Sequence, residues 1–214
     1  MSTTHKETVR AWFQNMKEPA GAHVDAAEAC GSAIAVAGWA EADGGILLGD
    51  IDDALDLVRL RAAGVTHIIN CAARPLPPEG EQEDNIDSTH PHLRLRRLDA
   101  PGLDHYTSRG VELAGYLAFA ATDSPTYRMA DHFDEACRFI DEARAQGGGP
   151  RRVLVHCQAG VSRSASVVLC YLMRNNEWTL RQAIEHVWQT RPFVLPNAGF
   201  FDQLLEVERQ LFAI

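Results

Sequence analysis

An apolar strand, a cysteine, a short loop closed by an arginine and a helix follow one another between residues 152 and 173, and this succession constrains the fold more than any other stretch. Arg152-Val-Leu-Val-His156 has the brevity and apolar run of a strand buried in a sheet. The loop is Cys157-Gln-Ala-Gly-Val-Ser-Arg163, and Ser164 to Met173 reads as a helix. Backbone N–H groups in so tight a loop point inward, and the helix behind them adds its positive N-terminal end, which together make a cradle for an anion. Gly160 lets the chain take a path that a side chain would block. Arg163 brings a planar fork that can bind two oxygens of one oxyanion. The same field lowers the pKa of a thiol, ordinarily about 8.5, so Cys157 is expected as a thiolate nucleophile. A bare Cys-x5-Arg pattern is weak, and a core cysteine beside a surface arginine would produce it. Strand, His-Cys step, glycine, Ser-Arg-Ser and helix together carry the assignment.

Around this motif, strands and helices alternate. Ala33–Ala37 and Ile46–Leu48 read as strands around Gly44-Gly45, and Ile51–Ala63 as a helix stopped at Gly64. Val65–Ala72 reads as a buried strand, 73–92 as a surface loop, Leu93–Leu98 as a half-exposed strand and Tyr116–Ala121 as another. Ala130–Ala145, Leu180–Gln189 and Gly199–Leu211 show helical periodicity. The pattern predicts a single α/β domain with a central, mostly parallel sheet flanked by helices, in which chemistry sits beyond the carboxyl ends of the strands. Residues 1–32 read as an N-terminal extension, with Val9, Trp12, Phe13 and Met16 on one face of a helix that either docks on the core or serves as a partner-binding arm. The catalytic domain is then 33–214.

The formal charge of −9 gives no electrostatic footprint for nucleic acid or anionic lipid. No stretch approaches the roughly 20 apolar residues of a membrane span, and the polar start is unlike a secretory leader, so a cytoplasmic or nuclear location is expected. The five cysteines, at 30, 71, 137, 157 and 170, are odd in number and include no CxxC pair. They predict reduced thiols rather than a disulfide framework or a zinc site. His90 and His92 lie in a proline-containing loop and are not assigned to a metal.

His156-Cys-Gln-Ala-Gly-Val-Ser-Arg-Ser164 resembles the signature loop of dual-specificity protein phosphatases, especially that of the MAP kinase phosphatases. The likeness extends to Phe139-Ile-Asp, Cys170-Tyr-Leu-Met173, Arg191-Pro192, Pro196-Asn-Ala-Gly-Phe200 and Gln203-Leu204, and fades through 73–115. It implies a protein tyrosine phosphatase-like fold of about five strands, with no cofactor and no metal. It further implies that Cys157 is the nucleophile and that Gln158, Ala159, Gly160, Val161, Ser162 and Arg163 bind the phosphoryl group. Ser164 can hydrogen-bond the departing thiolate, and His156 is expected to orient the loop through backbone hydrogen bonds. In the family an aspartate on a loop ahead of the preceding helix acts as general acid, and Asp123 in Thr122-Asp-Ser-Pro holds that place. Asp99, after Leu98, is the rival. Asn197 is expected to cap the last helix and, by the resemblance, to support the loop. Cys71, at a strand end, is either a packed residue or a thiol able to capture oxidised Cys157.

The implied reaction is hydrolysis of phosphotyrosine and phosphoserine or phosphothreonine in proteins through a phosphocysteine. Relatives acting on inositol lipids tend to carry basic residues in the loop, where this chain has Gln158, Ala159 and Val161. A phosphorylated protein is therefore the expected partner, ahead of phosphoinositide, RNA 5′-phosphate or glucan. A MAP kinase substrate has no support in the sequence. A non-catalytic phospho-binding scaffold and a thiol-based arsenate reductase are the rivals from other classes.

Overall fold

In a computed structural model, the structure describes residues 3–17, 40–73, 101–145 and 151–213. The elements are α1 (Thr3–Lys17), β1 (Ala40–Asp43), β2 (Ile46–Gly49), α2 (Ile51–Leu55), α3 (Leu57–Ala62), β3 (Val65–Asn70), α4 (Leu103–Thr107), β4 (Gly115–Ala118), a 3-10 turn (Met129–His132), α5 (Phe133–Ala145), β5 (Arg152–His156), α6 (Arg163–Asn176), α7 (Leu180–Trp188) and α8 (Ala198–Phe212). The sheet order is β1-β2-β5-β3-β4, with only the β1–β2 pair antiparallel. The expected α/β fold with a mostly parallel five-stranded sheet is thus observed, and β5 is its central strand.

Alternation along the strands divides the core in two. Ile46, Leu48, Ile69, Val153 and Val155 face the larger half, which is packed by α5, α6, α7 and α8. Leu47, Ile68 and Leu154 face a smaller half closed by Ala54, Leu60, Tyr106 and Val111. The extension's helix docks on the larger half. Val9 and Phe13 are buried, Phe13 stacks 4.4 Å from Phe201, and Arg10 Nε donates to Asp202 Oδ1 at 2.9 Å. Among the described residues no helix is long and apolar enough to cross a membrane.

Three sequence readings need correction. The helix expected over 51–63 breaks at Asp56, whose carboxylate accepts from the Arg59 N–H at 3.0 Å and starts a second helix instead of continuing the first. The first strand of the Gly44-Gly45 hairpin is Ala40–Asp43, and the expected strand at 33–37 lies outside the described residues. The strand expected over 116–121 runs from Gly115 to Ala118. The loop after residue 73, the strand at 93–98, Asp99, Cys30, His90 and His92 also lie outside the described residues.

Candidate active site

β5 delivers Cys157 to the carboxyl edge of the sheet, and α6 begins at Arg163. The Sγ of Cys157 accepts from the Ser164 hydroxyl at 3.2 Å and from the Gly160 N–H at 3.3 Å. Cys157 is 1% exposed, so sulfur sits on the floor of the loop. Burial is the largest influence on this thiol and opposes its ionisation. The Arg163 charge and hydrogen bonds from Ser164 and from the Ala159 backbone outweigh it, and together they hold the thiol below its ordinary value.

Gly160 has φ +66°, and a Cβ there would lie 2.8 Å from the Gly49 carbonyl oxygen and against the Arg191 guanidinium. The close fit reflects how the loop is anchored from behind. Arg191, itself 3% exposed, donates from Nε to the Gly160 carbonyl at 3.1 Å and from Nη2 to the Ala159 carbonyl at 3.4 Å. It also meets Asp50 Oδ2 at 3.4 Å. Asp50 caps α2 in a reciprocal pair with Asp53, and the Ile51 N–H reaches the Gln158 carbonyl at 3.4 Å. Sequence reading passed over Arg191 as a loop anchor. The signal was an arginine followed by Pro192-Phe-Val-Leu195 in the turn after α7, but its partners lie far away in the chain.

In front of the loop, Arg163 Nη1 donates to the Ala121 carbonyl at 3.2 Å, and its Nε lies 3.7 Å from Asp123 Oδ2. That Nε is buried without a hydrogen-bond partner among the described residues. Asp123 Oδ1 accepts from Ser162 Oγ at 2.7 Å and from Asn197 Nδ2 at 2.8 Å. Asn197 caps α8 through its Oδ1, which accepts from the Phe200 N–H at 3.0 Å, and its own N–H donates to Ser162 Oγ at 3.1 Å. Gly199 lets α8 approach the Pro125 carbonyl so closely that any Cβ would collide with it. Cys157, Ser162, Arg163, Ser164, Asp123 and Asn197 therefore converge on one site.

His156 is wholly buried, and neither ring nitrogen has a hydrogen-bond partner of normal geometry among the described residues. Burial is the main cause that pushes its pKa down to about 4, opposed by the nearby Cys157 backbone. The hydrogen bonds to the loop carbonyls of Ala159 and Gly160 come from Arg191. Cys71 is buried at the end of β3, and its N–H donates to the His156 carbonyl at 2.8 Å, continuing the ladder beside Cys157. Burial and then the charge of Cys157 push its thiol well above the ordinary value. Among the described residues, no group of histidines, cysteines and carboxylates could hold a metal.

A family model described as dual specificity phosphatase, catalytic domain, matches residues 46–210. Human dual specificity protein phosphatase 26 is 38% identical over 167 residues, which cover 78% of this chain and 65% of that protein. The chain thus spans just under two thirds of that relative. Among solved structures, human DUSP28 is 27% identical with a TM-score of 0.59, covering 81% of this chain and 95% of that one. The human tyrosine phosphatase-like serine/threonine/tyrosine-interacting protein is 29% identical with a TM-score of 0.62, covering 81% and 97%.

Proposed function

The chain belongs to the dual specificity phosphatase family, and we propose that it removes phosphate from tyrosine and from serine or threonine in proteins through a phosphocysteine intermediate. The observation that carries this reading is the convergence of an amide and a hydroxyl on Cys157 Sγ, beside an arginine whose Nε makes no hydrogen bond and lies 3.7 Å from the Asp123 carboxylate.

In the first step Cys157 thiolate attacks phosphorus in line, while Arg163 and the amides of 158–163 hold the equatorial oxygens. Asp123 gives its proton to the departing oxygen, and Ser162 and Asn197 hold that carboxyl over the loop. Water then attacks the phosphocysteine with Asp123 as base, and Ser164 donates to the thiolate as it leaves. Arriving phosphate must draw Arg163 toward itself, which relaxes the 3.7 Å pairing with Asp123.

A phosphorylated protein is the substrate favoured by the chemistry of the loop, since Gln158, Ala159 and Val161 add no cationic groups for a polyphosphorylated lipid headgroup. We place the protein in the cytoplasm or nucleus, in signalling, with 33–214 as the catalytic unit and 1–32 as an appended segment. Cys71 is assigned as the thiol that attacks peroxide-oxidised Cys157, forming a disulfide and releasing water. In the test, purified chain is assayed on an aryl phosphate and on phosphotyrosine and phosphothreonine peptides. Cys157→Ser should abolish turnover while inorganic phosphate still binds, and wild-type turnover in that variant would refute the scheme.

A further inference from the structure

Helix α8 stands between the Asp123 loop and the N-terminal helix, and each uses a different face of it. On one face, α8 and its cap hold the loop at three points. Asn197 bonds the Asp123 carboxylate, and Gly199 packs against the Pro125 carbonyl. One turn further on, Gln203 clips the end of the loop. Its Nε2 donates to the Tyr127 carbonyl at 2.8 Å, and its Oε1 accepts from the Ala130 N–H at 2.7 Å.

The opposite face receives α1. Phe201 lies two residues from Gln203, about 200° around the helix, and its ring stacks on that of Phe13 at 4.4 Å between centroids. Beside it, Arg10 Nε donates to Asp202 Oδ1, and His5 Nε2 lies 3.2 Å from Glu208 Oε2. Glu208 is wholly buried, and its other oxygen accepts from the Leu180 N–H at 2.9 Å, so this contact also seats the start of α7. At the far end of α7, the Trp188 ring stacks on Trp12 and Phe13, and its Nε1 donates to the Val194 carbonyl at 2.8 Å. The aromatic face of α1 thus rests on Trp188 and Phe201, the two residues that bracket the turn leading into Asn197. Close packing passes a shift on one face of a helix to the other.

We propose that α1 is a positioning element for the general acid: docked on α8 and Trp188, it keeps Asn197, Gly199 and Gln203 seated on the loop that aims Asp123. The role rests on the reading of Asp123 as the acid. Loosening α1 lets the loop drift, and the step that suffers is protonation of the leaving oxygen. Capture of phosphate is spared, because Arg191 anchors the Cys157 loop separately.

The test compares the full chain with Phe13→Ala, Arg10→Ala, Gln203→Ala and Asp123→Asn. Substrates are 4-nitrophenyl phosphate, phenyl phosphate and a phosphothreonine peptide, in rising order of need for an acid. Phe13→Ala and Gln203→Ala should each lower kcat roughly tenfold on the peptide but less than about twofold on 4-nitrophenyl phosphate. KM and the rate of Cys157 alkylation by iodoacetamide should stay at the wild-type level. Phe13→Leu should recover most of the loss. Phe13→Ala combined with Asp123→Asn should be no slower than Asp123→Asn alone, since nothing remains to be aimed. Arg10→Ala, at a half-exposed pair, should show the same ordering with a smaller loss, and it keeps the test readable if Phe13→Ala folds poorly. Equal losses on all three substrates, or additive losses in the double variant, would overturn the proposal. So would a changed alkylation rate, which would place the influence of α1 on the Cys157 loop, through the Leu195 N–H that donates to the Val161 carbonyl at 2.8 Å. If Asp123→Asn itself lacks the substrate dependence, the acid assignment falls, and the proposal with it.

Discussion

The loop that carries Cys157 and the loop that carries Asp123 meet at Ser162, yet they are secured in different ways. The cysteine loop is fastened from inside, by a buried arginine on two of its carbonyls and by a glycine packed against Gly49. The aspartate loop is fastened near the surface, by side-chain hydrogen bonds from Ser162 and Asn197 to a carboxylate that is 38% exposed. A nucleophile must hold its charge between turnovers, which favours a rigid setting whose fixed donors offset the cost of burial. An acid must meet a leaving group that comes and goes, and polar contacts at a rim can break and re-form.

The largest effect expected from disturbing the rim is on chemistry. Asp123→Asn should lower kcat on phosphothreonine peptides by about 10²–10⁴-fold, with a smaller loss on an aryl phosphate whose leaving group needs little protonation. Equal losses on both would break the assignment. Disturbing the buried anchor should cost stability instead. Arg191→Ala should lower the unfolding free energy by about 3 kcal/mol, read from urea midpoints, because it removes a buried guanidinium from between Asp50, Asp53 and the carbonyls of Ala159 and Gly160. It should also change the rate at which iodoacetamide alkylates Cys157.

The buried His156 sharpens the contrast through pH. Its folded value of about 4 lies below the ordinary 6.5, so the unfolded chain binds the proton first. Stability present above pH 6.5 should fall as pH drops toward 4, by up to about 3 kcal/mol, and His156→Leu should flatten that slope in denaturation curves. The smallest effect belongs to Asn197→Ala, at about 1 kcal/mol from the lost cap. Its kcat should fall roughly tenfold through the freed Asp123, as expected for one hydrogen bond to a charged group, with Cys157 alkylation unchanged. A changed alkylation rate would mean that the two loops are not separately held.

What could be read from the sequence was what is contiguous. Strand, loop and helix over 152–176 occur in unbroken order, so period and turn chemistry locate them to within three residues. The short α4 was missed because Tyr106 is its one buried residue and Gly102 supplies no capping side chain. The break at Asp56 hid inside an apolar helical pattern, where a capping carboxylate looks like any polar position. Arg191 as an anchor was illegible for another reason. Its partners Gly160 and Asp50 are 31 and 141 residues away, and no local period encodes such a contact.

The place of β5 in the sheet has a bearing on how the chain is assembled. β2 and β3 both pair with it and not with one another, Ile46 and His67 each meeting Val153 in register. Until residue 156 has left the ribosome, those two earlier segments have no partner between them, and the gap they leave is filled by the strand that ends beside Cys157. Closure over such separations is slow compared with local pairing. Sheet completion and the placement of the Cys157 loop are thus a single late event, and a chain stalled before it would present unpaired strand edges to its neighbours.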